Sequence, residues 1–202
     1  MVKIAALFVE TNGIYCGQPE IDPWDLTRDA RRYGGPYPVI AHPPCERWGR
    51  YWSGGPSARK RRVLGNDGGC FEYALLSVLM WGGVLEHPEA SHAWSQFGIL
   101  RPPKTGGWLR VRGGWTCCVE QGHYGHAARK ATWLFANVPN PPELLWGPAP
   151  KGARLDDGFH SKEERARAIK TGVCPRLSKK QRAATPIPFR DLLLSIARGV
   201  GS

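Results

Sequence analysis

The 202-residue sequence contains no run of the ~18 to 20 apolar residues that a helix needs to cross a bilayer. Its amino end, Met1 to Glu10, is too short for a secretory signal and lacks the small-residue cleavage pattern. The expectation is a soluble protein of the cytoplasm with no membrane partner. Also missing is any Cys-x-x-Cys pair: Cys16, Cys45, Cys70, Cys117, Cys118 and Cys174 are irregularly spaced, so thiols are expected rather than a disulfide framework. Stretches free of glycine and proline are scarce, with 25 Gly and 18 Pro, which excludes a helical bundle and implies many loops. Acidic residues are absent from 47–62, where six basic side chains stand, and 151–202 holds twelve basic against five acidic.

What is present fits one compact core with a tail. Apolar residues make up 42% and nine tryptophans supply more aromatic area than a disordered chain carries. The division expected is an α/β domain over 1–150 and a basic extension over 151–202 that ends in a docking helix. The net charge of +11 sits in a basic loop and a basic tail around a neutral to acidic core, which suits a polyanion such as DNA; a solubilising surface is the plainer alternative.

Val2 to Val9 is a continuous apolar run of the buried parallel-strand type. Pro23 to Tyr33, with proline and acids early and bases late, predicts a short helix stopped by Gly34-Gly35. Tyr37 to His42 predicts a second strand, cut off by Pro43-Pro44, which puts Cys45 at its carboxyl end. Cys70 to Trp81 has helical spacing, and Val84-Leu85 leads a strand into Glu86-His87-Pro88. Trp115 to Glu120 and Ala131 to Ala136 are β-rich, Leu144 to Trp146 is a candidate third such strand, and Phe189 to Arg198 is an amphipathic helix. The repeated strand, helix, strand order predicts a Rossmann-like, mainly parallel α/β sheet with right-handed crossovers.

In such sheets the functional crevice lies at the carboxyl ends of the strands, where Cys45 and Glu86 fall. A nucleophilic thiol needs a lowered pKa, for which Arg47 and Arg50 are at hand; a small buried residue is the alternative for Cys45. Glu86 at an apolar strand end is expected to have a raised pKa and to donate a proton near neutral pH, or to be a structural acid paired with an arginine. Arg59-Lys60-Arg61-Arg62 follows Trp48, Tyr51 and Trp52, a combination of cations and rings suited to unpaired nucleic acid; the run is read as contacting DNA, and the rings stay open between stacking on bases and packing in the core. Zinc ligand types occur in His42-x-x-Cys45, Cys117-Cys118 and His123-x-x-His126, but neighbouring residues of a strand face opposite ways, and no metal site is expected. His123 and His126 read as phosphate or base contacts, or as loop residues.

Pro44-Cys45 after an apolar strand, a glutamate ending the next strand, and then Gln121 in a strand pair resemble the motif order of the DNA cytosine carbon-5 methyltransferases. That resemblance implies a Cys45 thiolate that adds to carbon 6 of a flipped pyrimidine, a Glu86 that holds and protonates ring nitrogen 3, and a base-side segment around Pro44, Gln121, His123, His126, Arg129 and Lys130. Gln121 matches the family's Gln-x-Arg-x-Arg segment in its first position only. His42 to Gly49 and Tyr124 to Trp133 also resemble small uncharacterised proteins encoded by bacteriophages, which implies a bacterial host cytoplasm. The first strand here runs into Glu10-Thr11-Asn12-Gly13-Ile14-Tyr15-Cys16-Gly17, without the family's Phe-x-Gly-x-Gly loop for S-adenosylmethionine. Cys45 follows Val9 by only 36 positions, and one βαβ unit takes ~30, so a reduced fold without the cofactor half and without an acidic second strand is expected. The function expected is a cysteine-dependent modification of DNA pyrimidines with S-adenosylmethionine a doubtful donor. A non-catalytic DNA-binding protein and a modifier of free pyrimidine nucleotides are the alternatives.

Overall fold

The computed structural model describes residues 3–54, 62–155, 161–172 and 177–201. Its strands are β1 (Ile4–Leu7), β2 (Ile21–Trp24), β3 (Val39–Ala41), β4 (Gly83–Pro88), β5 (Leu109–Val111), β6 (Gly114–Glu120) and β7 (Ala131–Asn137). Its helices are α1 (Cys70–Trp81), α2 (His92–Gln96), α3 (Lys162–Thr171), α4 (Lys179–Ala183) and α5 (Ile187–Arg198). The strands form one sheet in the order β2-β1-β3-β4-β7-β6-β5. The first four are parallel, while β7, β6 and β5 continue the sheet antiparallel. The architecture is therefore α/β with a mixed sheet rather than a mainly parallel one. Residues 121–130 are too few for the crossover that a parallel return requires, so β7 comes back beside β6 in the opposite sense.

Strand alternation sorts the core into two layers. Ala5, Leu7, Val39, Ala41, Leu85 and Phe135 face α1 and α2 through Phe71, Val78 and Trp94. Ile4, Ala6, Ile40, Val84, Leu134 and Ala136 face α5 through Phe189, Leu193, Leu194 and Ile196. Cys117 belongs to the α5 layer and Cys118 packs against the other, as adjacent strand residues must.

Three sequence expectations are corrected. The segment Pro23 to Tyr33 is not a helix: Ile21–Trp24 is an edge strand on β1, followed by a single 3-10 turn over Ala30–Arg32. Proline lacks the donor that a central strand needs, and an edge position tolerates that loss. Asp29 then adopts φ 52° and accepts from the Arg31 amide, which breaks any helix before it starts. This strand carries Asp22, so the span from Val9 to Cys45 does hold an acidic second strand, because the β1 to β2 connection uses turns instead of a helix. Leu144 to Trp146 forms no strand.

Gly83 fixes the feature on which the site depends. It lies at φ 111° against β3, where a Cβ would come within 2.0 Å of the Val39 carbonyl oxygen. Only glycine permits that approach. The pairing Val39↔Gly83, Ile40↔Val84, Ala41↔Leu85 then sets His42 beside Glu86, both on the α5 side of the sheet.

On the other face, His87 is 1% exposed, stacked near Trp94 and edge-on to Phe71, with Nδ1 2.7 Å from the Ser91 hydroxyl. Burial pulls its pKa down to about 4 against the opposing influence of the Glu86 charge. A histidine held neutral in the fold and free to protonate when unfolded contributes stability above pH ~6.5 that is lost as pH falls towards 4. Between pH 7 and 5 this loss is about 2 kcal/mol for one such group. The imidazole carbon resonances of His87 should therefore remain those of the neutral ring at pH 5, with unfolding by urea easier at pH 5 than at pH 7; a midpoint near 6.5 would contradict the burial argument.

Candidate active site

The chain leaves β1 to one side for β2 and returns on the other side for β3, so the strand order reverses between β1 and β3. The loop after β1 brings Tyr15 to this point, the end of β3 brings His42, and β4 brings Glu86. His42 Nδ1 lies 3.1 Å from Glu86 Oε1, and the Tyr15 hydroxyl lies 2.8 Å from His42 Nε2. The His42 and Glu86 side chains are only 12% and 15% exposed. Beyond Tyr15, Arg190 on α5 donates to the Ile14 carbonyl at 3.0 Å and pairs with Asp191, which ties the loop after β1 to the helix.

Burial pushes the Glu86 carboxyl up, but the hydrogen bond from His42, with the ammonium of Lys130 behind it, holds it down at about 2. The expectation of a raised pKa is thus reversed, and Glu86 is a carboxylate at neutral pH. Cys45 is an exposed residue just past Pro43-Pro44, and its carbonyl accepts from the Trp48 and Gly49 amides at 3.0 and 2.8 Å. Partial desolvation of the thiol by the surrounding protein raises its pKa, the Glu86 carboxylate raises it further, and Lys130 opposes both. Cys45, Glu86 and Lys130 therefore share one electrostatic neighbourhood, in which Cys45 rests as a thiol.

The other expected site residues are distributed as follows. Pro44 is exposed beside Cys45. Gln121 is fully buried; its Nε2 donates to the Thr132 hydroxyl at 2.9 Å, that hydroxyl donates to the Lys130 carbonyl, and Gln121 Oε1 finds no partner among the described residues. Lys130 Nζ reaches the Ala184 carbonyl at 3.3 Å. His123 donates to the Gly147 carbonyl, His126 is buried against Ala128, and Arg129 donates to the Ala149 carbonyl, so all three engage the backbone around the loop. Arg47 is half-buried with Nη1 enclosed, whereas Arg50 and Arg62 are exposed. Arg59, Lys60 and Arg61 lie outside the described residues. Trp48 packs in the core and donates to Asp67 at 2.7 Å, while Tyr51 is 78% exposed.

The site does not fit S-adenosylmethionine in the manner the resemblance implies. Both carboxylate oxygens of Asp22, the acid on the second strand, are engaged, one by Arg28 and the other by the Trp24 indole. The loop after β1 is filled by its own turns, Gly13 to Glu10 and Cys16 to Gly13, and by the buried Tyr15. Among the described residues no group of three or more His, Cys, Asp and Glu side chains is arranged to hold a metal ion, and no helix is long and apolar enough to cross a membrane. No protein-family model and no curated protein matches the chain.

Sequence reasoning missed Tyr15 altogether and saw His42 only as a zinc ligand type. The parity of Ile40 and His42 against Val84 and Glu86 carried a usable signal for His42; nothing in the loop after β1 marked Tyr15. Because the Glu86 charge raises the Cys45 thiol, Glu86→Gln should speed alkylation of Cys45 by iodoacetamide at pH 7.5, and Lys130→Met should slow it, as followed by mass spectrometry of the Cys45 peptide. Slower alkylation in Glu86→Gln would refute the shared neighbourhood.

Proposed function

We propose that this protein is a Rossmann-like, methyltransferase-like enzyme that binds DNA, takes a pyrimidine out of the stack and adds Cys45 to carbon 6 of the ring. The observation that carries this reading is that Cys45, just past β3, and Glu86, on the adjacent parallel strand β4, stand at neighbouring strand ends, with the Glu86 carboxylate and the Lys130 ammonium both acting on the thiol. The parallel strands in the order 2-1-3-4 match a doubly wound sheet, whose binding crevice opens where the order reverses. A base inside a duplex is out of reach of a thiol at a sheet edge, so flipping is part of the reading. The exposed Arg50 and Tyr51, which follow Cys45 in its loop, and the exposed Arg62 supply cations and a ring for the strand.

The chemistry follows from the residues. Deprotonation of the Cys45 thiol to solvent gives the nucleophile; its Sγ forms the bond to carbon 6 while the C5–C6 π pair moves towards carbon 4 and nitrogen 3. The ammonium of Lys130 favours the charge that develops. Glu86, ionised, accepts hydrogen bonds from the edge of the base rather than acting as the resting acid. A proton from water adds at carbon 5, the original carbon-5 proton leaves, and expulsion of the thiolate restores the ring. Exchange of the carbon-5 hydrogen with solvent needs no donor beyond water.

An oligonucleotide tritiated at carbon 5 of cytosine or uracil should release tritium to water with the wild type. Cys45→Ser should abolish release, because a hydroxyl is a far weaker nucleophile, and Glu86→Gln, which replaces the charged acceptor for the edge of the base with a neutral amide, should slow it by about 10- to 100-fold, the worth of a hydrogen bond to a charged group. Release from the mononucleotide but not from DNA would favour the free-nucleotide alternative, and release that persists in Cys45→Ser would eliminate the nucleophile. Affinity for the same oligonucleotide should fall steeply between 50 and 200 mM salt, as expected for ~6 phosphate contacts; binding indifferent to salt would contradict DNA as the partner.

A further inference from the structure

Glu86 is an acceptor only, so the nitrogen of His42 that faces it, Nδ1, carries a proton. In the neutral ring Nε2 is then bare, and the group against it is the Tyr15 hydroxyl at 2.8 Å, which has a proton to give. Tyr15 is 3% exposed, and burial and the Glu86 charge both push its pKa up, so it keeps that proton. The three side chains come from three segments brought together at the reversal of strand order. They repeat the logic of an imidazole fixed by a carboxylate on one nitrogen and a hydroxyl on the other.

We propose that His42 and Tyr15 are positioning residues for Glu86: the Nδ1–H of His42 keeps the carboxylate charged and aimed, and Tyr15, by occupying Nε2, fixes the tautomer that can do so. This rests on the reading that Glu86 serves a bound base. The charged and titratable groups facing Glu86 are His42 from β3, His87 from its own strand, Lys130 from the start of β7, and Cys45 and Tyr15 from their loops, with Arg190 and Asp191 of α5 behind Tyr15. Of all influences on Glu86, burial is the largest, and it acts against the charge; the bond from His42 leads the opposition. Without that bond the opposition to burial is weaker, and the carboxyl moves up from its present position. The acid of the pair is thus set by a neighbour two strands of the sheet hold in register.

The test reads the Glu86 carboxyl directly, by carbon-13 NMR titration of the full chain, assigned from the resonance lost in Glu86→Gln. In the wild type the signal should stay that of a carboxylate throughout pH 7 to 4. His42→Phe, which keeps a ring without a donor, should raise the midpoint above that of an ordinary glutamate, and Tyr15→Phe should raise it less. His42→Gln, which restores a donor, should bring it part of the way back. Tritium release should show the same order, its acid limb moving to higher pH in His42→Phe. An unmoved Glu86 midpoint in His42→Phe overturns the proposal. Nitrogen-15 spectra of the unmodified protein test the tautomer without any substitution: a protonated Nδ1 supports the assignment, and a bare Nδ1 overturns it. A shifted midpoint in a protein that releases no tritium upholds the positioning role and refutes the enzymatic reading.

Discussion

A charged carboxylate in a nearly enclosed position is the constraint around which this protein is arranged. Removing an ion from water costs several kcal/mol unless partners replace the lost hydration. Glu86 meets that cost with an imidazole across the β3 and β4 pairing and an ammonium from the start of β7. The pairing in turn depends on Gly83, whose missing side chain lets β4 close on the Val39 backbone. A side chain at position 83 would push β4 away from the Val39 backbone and so disturb the pairing that holds His42 beside Glu86.

The two halves of the sheet contribute differently. The parallel half provides the reversal of strand order and three of the polar groups; the antiparallel half delivers Lys130, Thr132 and Gln121 to the same edge. The helix α5 closes the face on which Glu86 lies and anchors the loop that carries Tyr15. Side chains held on strand ends by their neighbours' packing keep their geometry better than side chains on free loops. Cys45, past two prolines, is the exception in that it belongs to a loop, yet the prolines restrict where the backbone leaves β3. The Glu86 charge favours the protonated form of the Cys45 thiol, so in the proposed reaction the thiol must lose its proton against that charge.

Much of this was legible in the sequence. The apolar spacing of Cys70 to Trp81 and the Gly82-Gly83 stop define α1 as found, and the β-rich runs ending at Glu120 and beginning at Ala131 define β6 and β7. The positions of Cys45 and Glu86 at neighbouring strand ends followed from the prolines after each strand. The edge strand Ile21–Trp24 was hidden by its proline, which reads as a helix start when no partner strand is known. The mixed sheet was hidden because pairing direction depends on connections, not on the strands' own residues. The sign of the Glu86 shift was hidden for a deeper reason: an apolar strand predicts desolvation, whereas the opposing partners arrive from His42, 44 residues earlier in the chain, and from Lys130 across the sheet.

The addition of Cys45 to a pyrimidine ring is most directly tested by intact-mass analysis of the protein mixed with an oligonucleotide in which one 2-pyrimidinone replaces the target base. Loss of the ring's amino donor makes carbon 6 more electrophilic and the adduct longer-lived. A single species at the summed mass of protein and oligonucleotide, with the bond mapped to Cys45, is the predicted result. The two masses remaining separate, or an adduct that maps to Cys16 or Cys70, would contradict it.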